Sequence, residues 1–229
     1  MLSEIRFLGS RIRVWSTNIE NVDKIVIFLH GSGITAFGME KWLRSFVLVP
    51  PANIAVLLPS APMLRYHLEG GQRQSVWHQR KDLSIDSAYE DTSGIDRISD
   101  GLGEMINQIE VAGFKNTVVG GFSMGGHTAI HSVFRNGINA KGCFALSSYL
   151  INQSAVYKSI ETKDSSDQVP LYLAHGDSDR IVPMEWAKIL HNKFEMNNVE
   201  TSLVLYKDLD HEISSHVIQD LFSWILHSR

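Results

Sequence analysis

The sequence predicts an α/β fold: a mostly parallel sheet with helices on both faces. Three observations carry this expectation. Continuous apolar runs recur along the chain, as strands buried on both sides require. Segments with apolar residues at helical spacing alternate with those runs. The chain of 229 residues has no internal repeat and no Pro/Gly/Ser-rich linker, so one domain over 1–229 is expected.

The elements follow in order. Residues 5–14 read as an opening strand or hairpin with its turn near Gly9. "KIVIFLH" (24–30), "NIAVLLP" (53–59), "NTVVGGF" (116–122), "KGCFALSS" (141–148), "VPLYLAHG" (169–176) and "TSLVLY" (201–206) are the strand candidates. Helical patterns cover 39–48, 92–111, 124–134, 184–196 and 213–226. The clearest is 92–111, where Ile95, Ile98, Leu102, Met105, Ile106 and Ile109 share one face. The segment 60–83 reads as a loop whose Arg65, Arg73, Arg80 and Lys81 form a solvated face, with contact to an anionic surface as the alternative.

Composition excludes several classes of function. With 44% apolar and 20% charged residues the chain can bury a core. A net charge of −4 without a Lys/Arg block argues against a nucleic-acid partner. The first residues carry Glu4, Arg6, Arg11 and Arg13 where a signal peptide needs an apolar stretch, and no run reaches the length of a spanning helix. Cys143 is the only cysteine, which rules out an internal disulfide and suits a reducing compartment. A cytoplasmic protein without stable membrane insertion is expected.

In parallel sheets ligands bind beyond the carboxyl ends of strands, and four such ends hold polar residues. In Gly121-Phe122-Ser123-Met124-Gly125, a G-x-S-x-G turn joins a strand to a helix. Such an elbow lifts the serine in a strained conformation, and its glycines are required where any Cβ would clash. The plain alternative is a glycine-rich turn with Ser123 as a helix cap. "HGSG" (30–33) follows another strand, and such a loop can aim a backbone N–H at an oxyanion. Ser32 and Met124 are the N–H donors expected in the elbow geometry.

"HGDSDRIVP" (175–183) offers two carboxylates, Asp177 and Asp179. Either could orient a base histidine; Asp179 is preferred because "RIVP" fixes the loop directly after it, and the other would cap the next helix or make an Asx-turn. "DLDHEIS" (208–214) places His211 just before the last helix, with His216 as the alternative base. The chain order Ser123, Asp179, His211 is that of an α/β-hydrolase. "HEISSH" (211–216) is not a zinc motif: its i, i+5 spacing turns the second imidazole away by about 140° on a helix. No metal or cofactor is expected.

These motifs together resemble the acyl-protein thioesterase and lysophospholipase family of α/β-hydrolases. "FLHGSG", "GGFSMGG", "ALSSYL" and "HGDSDRIVP" carry the resemblance, and "HGSG", "EGGQRQSVW" and "FSMGGH" are similar to its lysophospholipase-like branch. The resemblance implies Ser123 as nucleophile, Asp179 as acid, His211 as base, and the Ser32 and Met124 N–H groups as oxyanion hole. It also implies acyl thioesters or esters as substrates, S-acylated proteins among them. The chain departs from the family at Trp77-His78-Gln79, where an aspartate is usual at the third position, which puts the hydrogen bonding of that loop in question. No cysteine lies near the start for a lipid anchor. The expectation is therefore a serine hydrolase that works through an acyl-enzyme. A short-chain carboxylesterase, a lysophospholipase and a non-catalytic binding protein on the same scaffold are the alternatives.

Overall fold

The computed structural model describes residues 2–17, 22–162 and 169–227. The opening segment is a hairpin of β1 (Arg6–Phe7) and β2 (Ser10–Arg11). Its turn holds Leu8 and Gly9, both at positive φ (47° and 76°), as a two-residue hairpin turn that matches strand twist requires. Next comes β3 (Arg13–Trp15), then β4 (Lys24–Leu29), α1 (Ala36–Phe46) and β5 (Ile54–Leu58). A second hairpin, β6 (Met63–Tyr66) and β7 (Gln72–Ser75), leads to α2 (Thr92–Val111), β8 (Thr117–Phe122) and α3 (Met124–Ile130). The chain continues through β9 (Gly142–Leu146), α4 (Ala155–Glu161), β10 (Leu171–Gly176), α5 (Met184–Met196), β11 (Thr201–Tyr206) and α6 (Ser215–His227).

Seven strands form the main sheet in the order β11-β10-β9-β8-β4-β5-β3, parallel throughout except for β3 against β5. Its strands alternate between two cores, which explains their unbroken apolar runs. Ile25, Ile27 and Leu29 belong to the core that holds buried residues of α2, α3 and α5, while Val26 and Phe28 belong to the core that holds those of α1 and α6. The strand order reverses between β4 and β8, so the ends of these two neighbours flank a crevice. Ser123 follows β8 and the 30–33 loop follows β4, on the two sides of that crevice.

Several boundaries differ from the sequence reading. Helix α1 starts at Ala36 rather than Met39 because the Thr35 hydroxyl accepts the Gly38 N–H at 3.2 Å. Helix α6 starts at Ser215 rather than Ile213, with the Ser214 hydroxyl accepting the Val217 N–H at 3.3 Å. The pattern over 124–134 is α-helical only to Ile130 and passes into a π turn over His131–Arg135. Segment 60–83, read as a loop, contains the β6–β7 hairpin.

Candidate functional site

At Ser123 the backbone has φ 53° and ψ −119°, a conformation costly for any residue with a side chain. It is held by the Ser123 N–H donating to the Leu146 carbonyl (2.8 Å) and by the Ser148 hydroxyl donating to the Ser123 carbonyl (2.8 Å). The turn leaves no room for side chains beside it. A Cβ on Gly121 would lie 2.3 Å from the Leu29 carbonyl oxygen, and one on Gly125 2.1 Å from the same atom. Ser123 occupies the N-cap position of α3, yet its hydroxyl makes no capping bond. The plain reading of a capping serine therefore does not hold. The hydroxyl lies instead 3.1 Å from His211 Nε2.

His211 Nδ1 lies 2.8 Å from Asp179 Oδ2. The other carboxylate oxygen of Asp179 accepts the N–H groups of Ile181 (2.9 Å) and Val182 (2.8 Å). These are two residues of the "RIVP" stretch expected to fix this loop. His175, buried at the end of β10, donates through Nε2 to the Val182 carbonyl at 2.8 Å, and the same nitrogen is 3.4 Å from Asp179 Oδ2. Burial opposes ionisation of Asp179 most strongly. The bonds from His175, His211 and the Val182 N–H together outweigh it, so the carboxyl lies well below the usual carboxylate range. Asp177 is exposed; its Oδ1 accepts the Asp208 N–H at 2.7 Å and the Ser178 hydroxyl at 2.9 Å. His216 is exposed on α6. The structure thus brings together Ser123, His211 and Asp179 and leaves both alternatives outside.

The 30–33 loop is fixed by a buried histidine. His30 donates through Nδ1 to the Gly31 carbonyl (2.8 Å), accepts the Ala61 N–H on Nε2 (3.0 Å), and its carbonyl accepts the Trp77 indole N–H (2.7 Å). Burial pushes its pKa down to about 4 despite the bond to Gly31, so the ring is neutral near pH 7. Gly33, at φ 76°, holds the left-handed position of a turn closed from Ile34 N–H to the Gly31 carbonyl, which leaves exposed Ser32 at the turn's first central position. Met124 is the first residue of α3, and first-turn N–H groups have no acceptor within their own helix.

Gln79 answers the departure at the Trp-His-Gln segment. Its side chain accepts the His67 N–H (3.2 Å) and donates to the Arg65 carbonyl (2.9 Å), while its own N–H donates to Asp91 (2.8 Å). Gln79 thus holds the β6–β7 hairpin through its side-chain amide and the N-cap residue of α2 through its backbone N–H. Arg65 and Arg73 face each other on that hairpin, but Arg80 lies over the Tyr149 ring at 5.0 Å and Lys81 over Tyr89 at 4.4 Å. The latter two make packing contacts as well as facing solvent.

Sequence reasoning also missed a buried stack behind α3. The His127 ring lies 4.8 Å from both His78 and His131. Among the described residues, Glu90, His127 and His131 are the group whose metal-ligand atoms fall within 4.8 Å of one another. Their hydrogen bonds do not suit a cation. Arg135 Nε donates to His131 Nδ1 (3.1 Å), which leaves the ring proton on Nε2, where Glu90 accepts it (3.0 Å). A metal at that nitrogen would need an imidazolate. His127 and His131 stand at i, i+4 on one helical stretch, a spacing that puts two imidazoles on one face; His78 and Glu90 join them only in the finished fold.

An α/β-hydrolase fold with serine, histidine and carboxylate in hydrogen-bond sequence at its strand ends defines the class: a hydrolase. Comparison with known proteins makes this specific, since the phospholipase/carboxylesterase family matches residues 13–228. The chain belongs to that family. It is 31% identical to mouse lysophospholipase-like protein 1 over 206 residues, covering 88% of this chain and 85% of that one. It is 26% identical to acyl-protein thioesterase 1 homolog 1 of Dictyostelium discoideum over 204 residues, covering 87% and 88%. Crystalline Zea mays acyl-protein thioesterase 2 shares the fold with a TM-score of 0.82 at 24% identity, over 95% of this chain and 98% of that chain. Among the described residues, no helix is long and apolar enough to cross a membrane.

Proposed function

We propose that this protein is a cytoplasmic serine hydrolase that cleaves acyl thioesters and esters through an acyl-enzyme, in the manner of an acyl-protein thioesterase. The observation that carries this reading is the unbroken chain from the Ser123 hydroxyl to His211 Nε2 (3.1 Å) and from His211 Nδ1 to Asp179 (2.8 Å). Ser123 Oγ attacks the acyl carbonyl while His211 takes its proton. The imidazolium then passes that proton to the leaving thiol or alcohol, and water repeats the cycle to release the acid. Asp179, ionised and anchored by two backbone N–H groups, fixes the Nδ1–H tautomer and stabilises the imidazolium. The N–H groups of Ser32 and Met124 receive the oxyanion. No cofactor is needed for any of these steps.

The substrate class rests on the relatives, whose names include acyl-protein thioesterases and a lysophospholipase-like protein. The description of the matched family, phospholipase/carboxylesterase, supports simple carboxyl esters as a second reading. An open cavity of about 520 Å³ beside His211 is lined by Arg180, Ile181, Asp210 and Glu212. Purified protein incubated with an S-palmitoyl peptide and with a p-nitrophenyl ester distinguishes the two. Thioester cleavage that is lost in Ser123→Ala supports the thioesterase; ester cleavage alone supports the carboxylesterase. Neither activity in folded protein points to a binding module.

A further inference from the structure

The loops that carry Asp179 and His211 are joined by reciprocal contacts. Asp177, in the first loop, accepts the N–H of Asp208 in the second at 2.7 Å. Asp210, in the second, accepts through Oδ1 the N–H of Arg180 in the first at 3.0 Å, and also the N–H of His211 at 2.8 Å. Its Oδ2 accepts Arg180 Nε at 2.7 Å and pairs with the guanidinium's terminal nitrogen as well. The backbones also touch, with the Ser178 N–H donating to the Leu209 carbonyl at 3.1 Å. A Cβ on Gly176 would lie 2.0 Å from that same carbonyl oxygen. One carboxylate therefore binds the residue that follows Asp179 and the backbone of His211 itself.

We propose that Asp210 is a positioning residue for the hydrolytic reaction, holding the His211 loop against the Asp179 loop so that the imidazole stays aligned between carboxylate and serine. This rests on the serine-hydrolase reading above. Three features favour alignment over bulk stability. The pair is open to solvent, with the Arg180 side chain 85% exposed, and exposed ion pairs add little to folding. Its bonds end on residues next to, or within, the Asp179–His211 pair. Asp210 and Arg180 also line the cavity that opens beside His211, so the clamp forms part of the approach to the base. The bonds from the Arg180 side chain, then from the Arg180 and His211 N–H groups, hold the Asp210 carboxyl at about 2, so it is ionised at neutral pH.

The test compares Asp210→Ala with Asp210→Asn. Alanine removes the acceptor for both N–H groups, whereas asparagine keeps an oxygen facing them and loses only the charge. Misalignment on the scale of 1 Å costs on the order of 10²-fold in rate. Asp210→Ala should therefore lower kcat on a soluble ester by about that factor, with KM and the thermal midpoint little changed. Asp210→Asn should recover most of the loss. In proton NMR the low-field signal of the His211 Nδ1–H bonded to Asp179 should weaken in Asp210→Ala and persist in Asp210→Asn. Wild-type kcat and an unchanged signal in Asp210→Ala would overturn the clamp. So would equal losses in both variants that track a lowered thermal midpoint. Absence of hydrolysis by the wild type would instead remove the serine-hydrolase reading, while the NMR comparison still decides whether Asp210 holds the His211–Asp179 bond.

Discussion

The Leu29 carbonyl oxygen fills the space where a Cβ on Gly125 would sit, 2.1 Å from that point. Leu29 ends β4 and Gly125 lies in the first turn of α3, so this contact sets how closely the helix behind Ser123 approaches the neighbouring strand. The obstacle is backbone and cannot swing aside. Gly125→Ala should therefore destabilise the fold by ~3 kcal/mol or more and reduce activity with it. Urea unfolding of the purified variant measures this. A loss below ~1 kcal/mol would show that the elbow has slack.

Asp179→Asn should be far more damaging than Asp177→Asn. Asp179 bonds His211 directly, and an isosteric amide there can cost about 10⁴ in kcat because it favours the wrong imidazole tautomer. Asp177 acts as an acceptor for the Asp208 N–H, a role that asparagine keeps. Steady-state kinetics of both variants decide it. Equal, small effects would leave His211 without its partner acid.

Stability should fall as the solution is acidified below neutrality. Burial holds His30 at about 4 and His78 at about 3; the bond to the Gly31 carbonyl counteracts the shift at His30, and Arg80 reinforces it at His78. In the unfolded chain both take up protons below about 6.5. The folded state refuses these protons until the pH reaches the lowered values, so stability is full above about 6.5 and falls through the window beneath. Two groups at about 1.4 kcal/mol per pH unit, titrating over the roughly 1.5 units from 6.5 to 5, give a loss of about 4 kcal/mol between pH 7 and 5. Glu90, held at about 2 against its own burial by His131 and the Ala155 N–H, adds a further loss only as pH falls below about 4.5. Urea unfolding at pH 7, 6 and 5 measures the slope, which His78→Asn should reduce. Stability independent of pH across that window would contradict the neutral, buried assignment.

Esters of short acids should be cleaved faster than those of long ones. A long acyl chain gains about 0.8 kcal/mol per methylene only where apolar surface receives it. Leu43 and Tyr66 are buried in the core, Trp42 packs edge-on against Phe122 at 5.2 Å, and Met63 is half exposed on the hairpin. A p-nitrophenyl series from C2 to C16 below micelle-forming concentrations tests this. A kcat/KM that climbs steadily to C16 would place an apolar tunnel beside Ser123.

The main strands and the Ser123, Asp179 and His211 positions were legible because both follow from local pattern. Ile25 and Val26 point to different cores, so their run could be read without knowing either core. Ser123 sits between glycines whose requirement is local. Other features were not legible. Helix α4 has seven residues, too few for periodicity to show. The β6–β7 hairpin pairs Arg65 with Arg73 and offers no apolar alternation. The Asp210–Arg180 clamp and the His78–His127–His131 stack join residues whose proximity depends on the finished fold. Only the i, i+4 spacing of His127 and His131 could have been read from the sequence.

The most direct test is to label the folded protein with a fluorophosphonate probe and map the modified residue by peptide mass spectrometry. The Ser123 hydroxyl lies 3.1 Å from His211 Nε2, and His211 Nδ1 lies 2.8 Å from Asp179, so on the proposed reading the probe should phosphonylate Ser123 alone. Labelling should vanish in Ser123→Ala and in heat-unfolded protein, and become very slow in His211→Gln. Labelling of a different serine, or none in folded wild-type protein, would contradict Ser123 as the nucleophile.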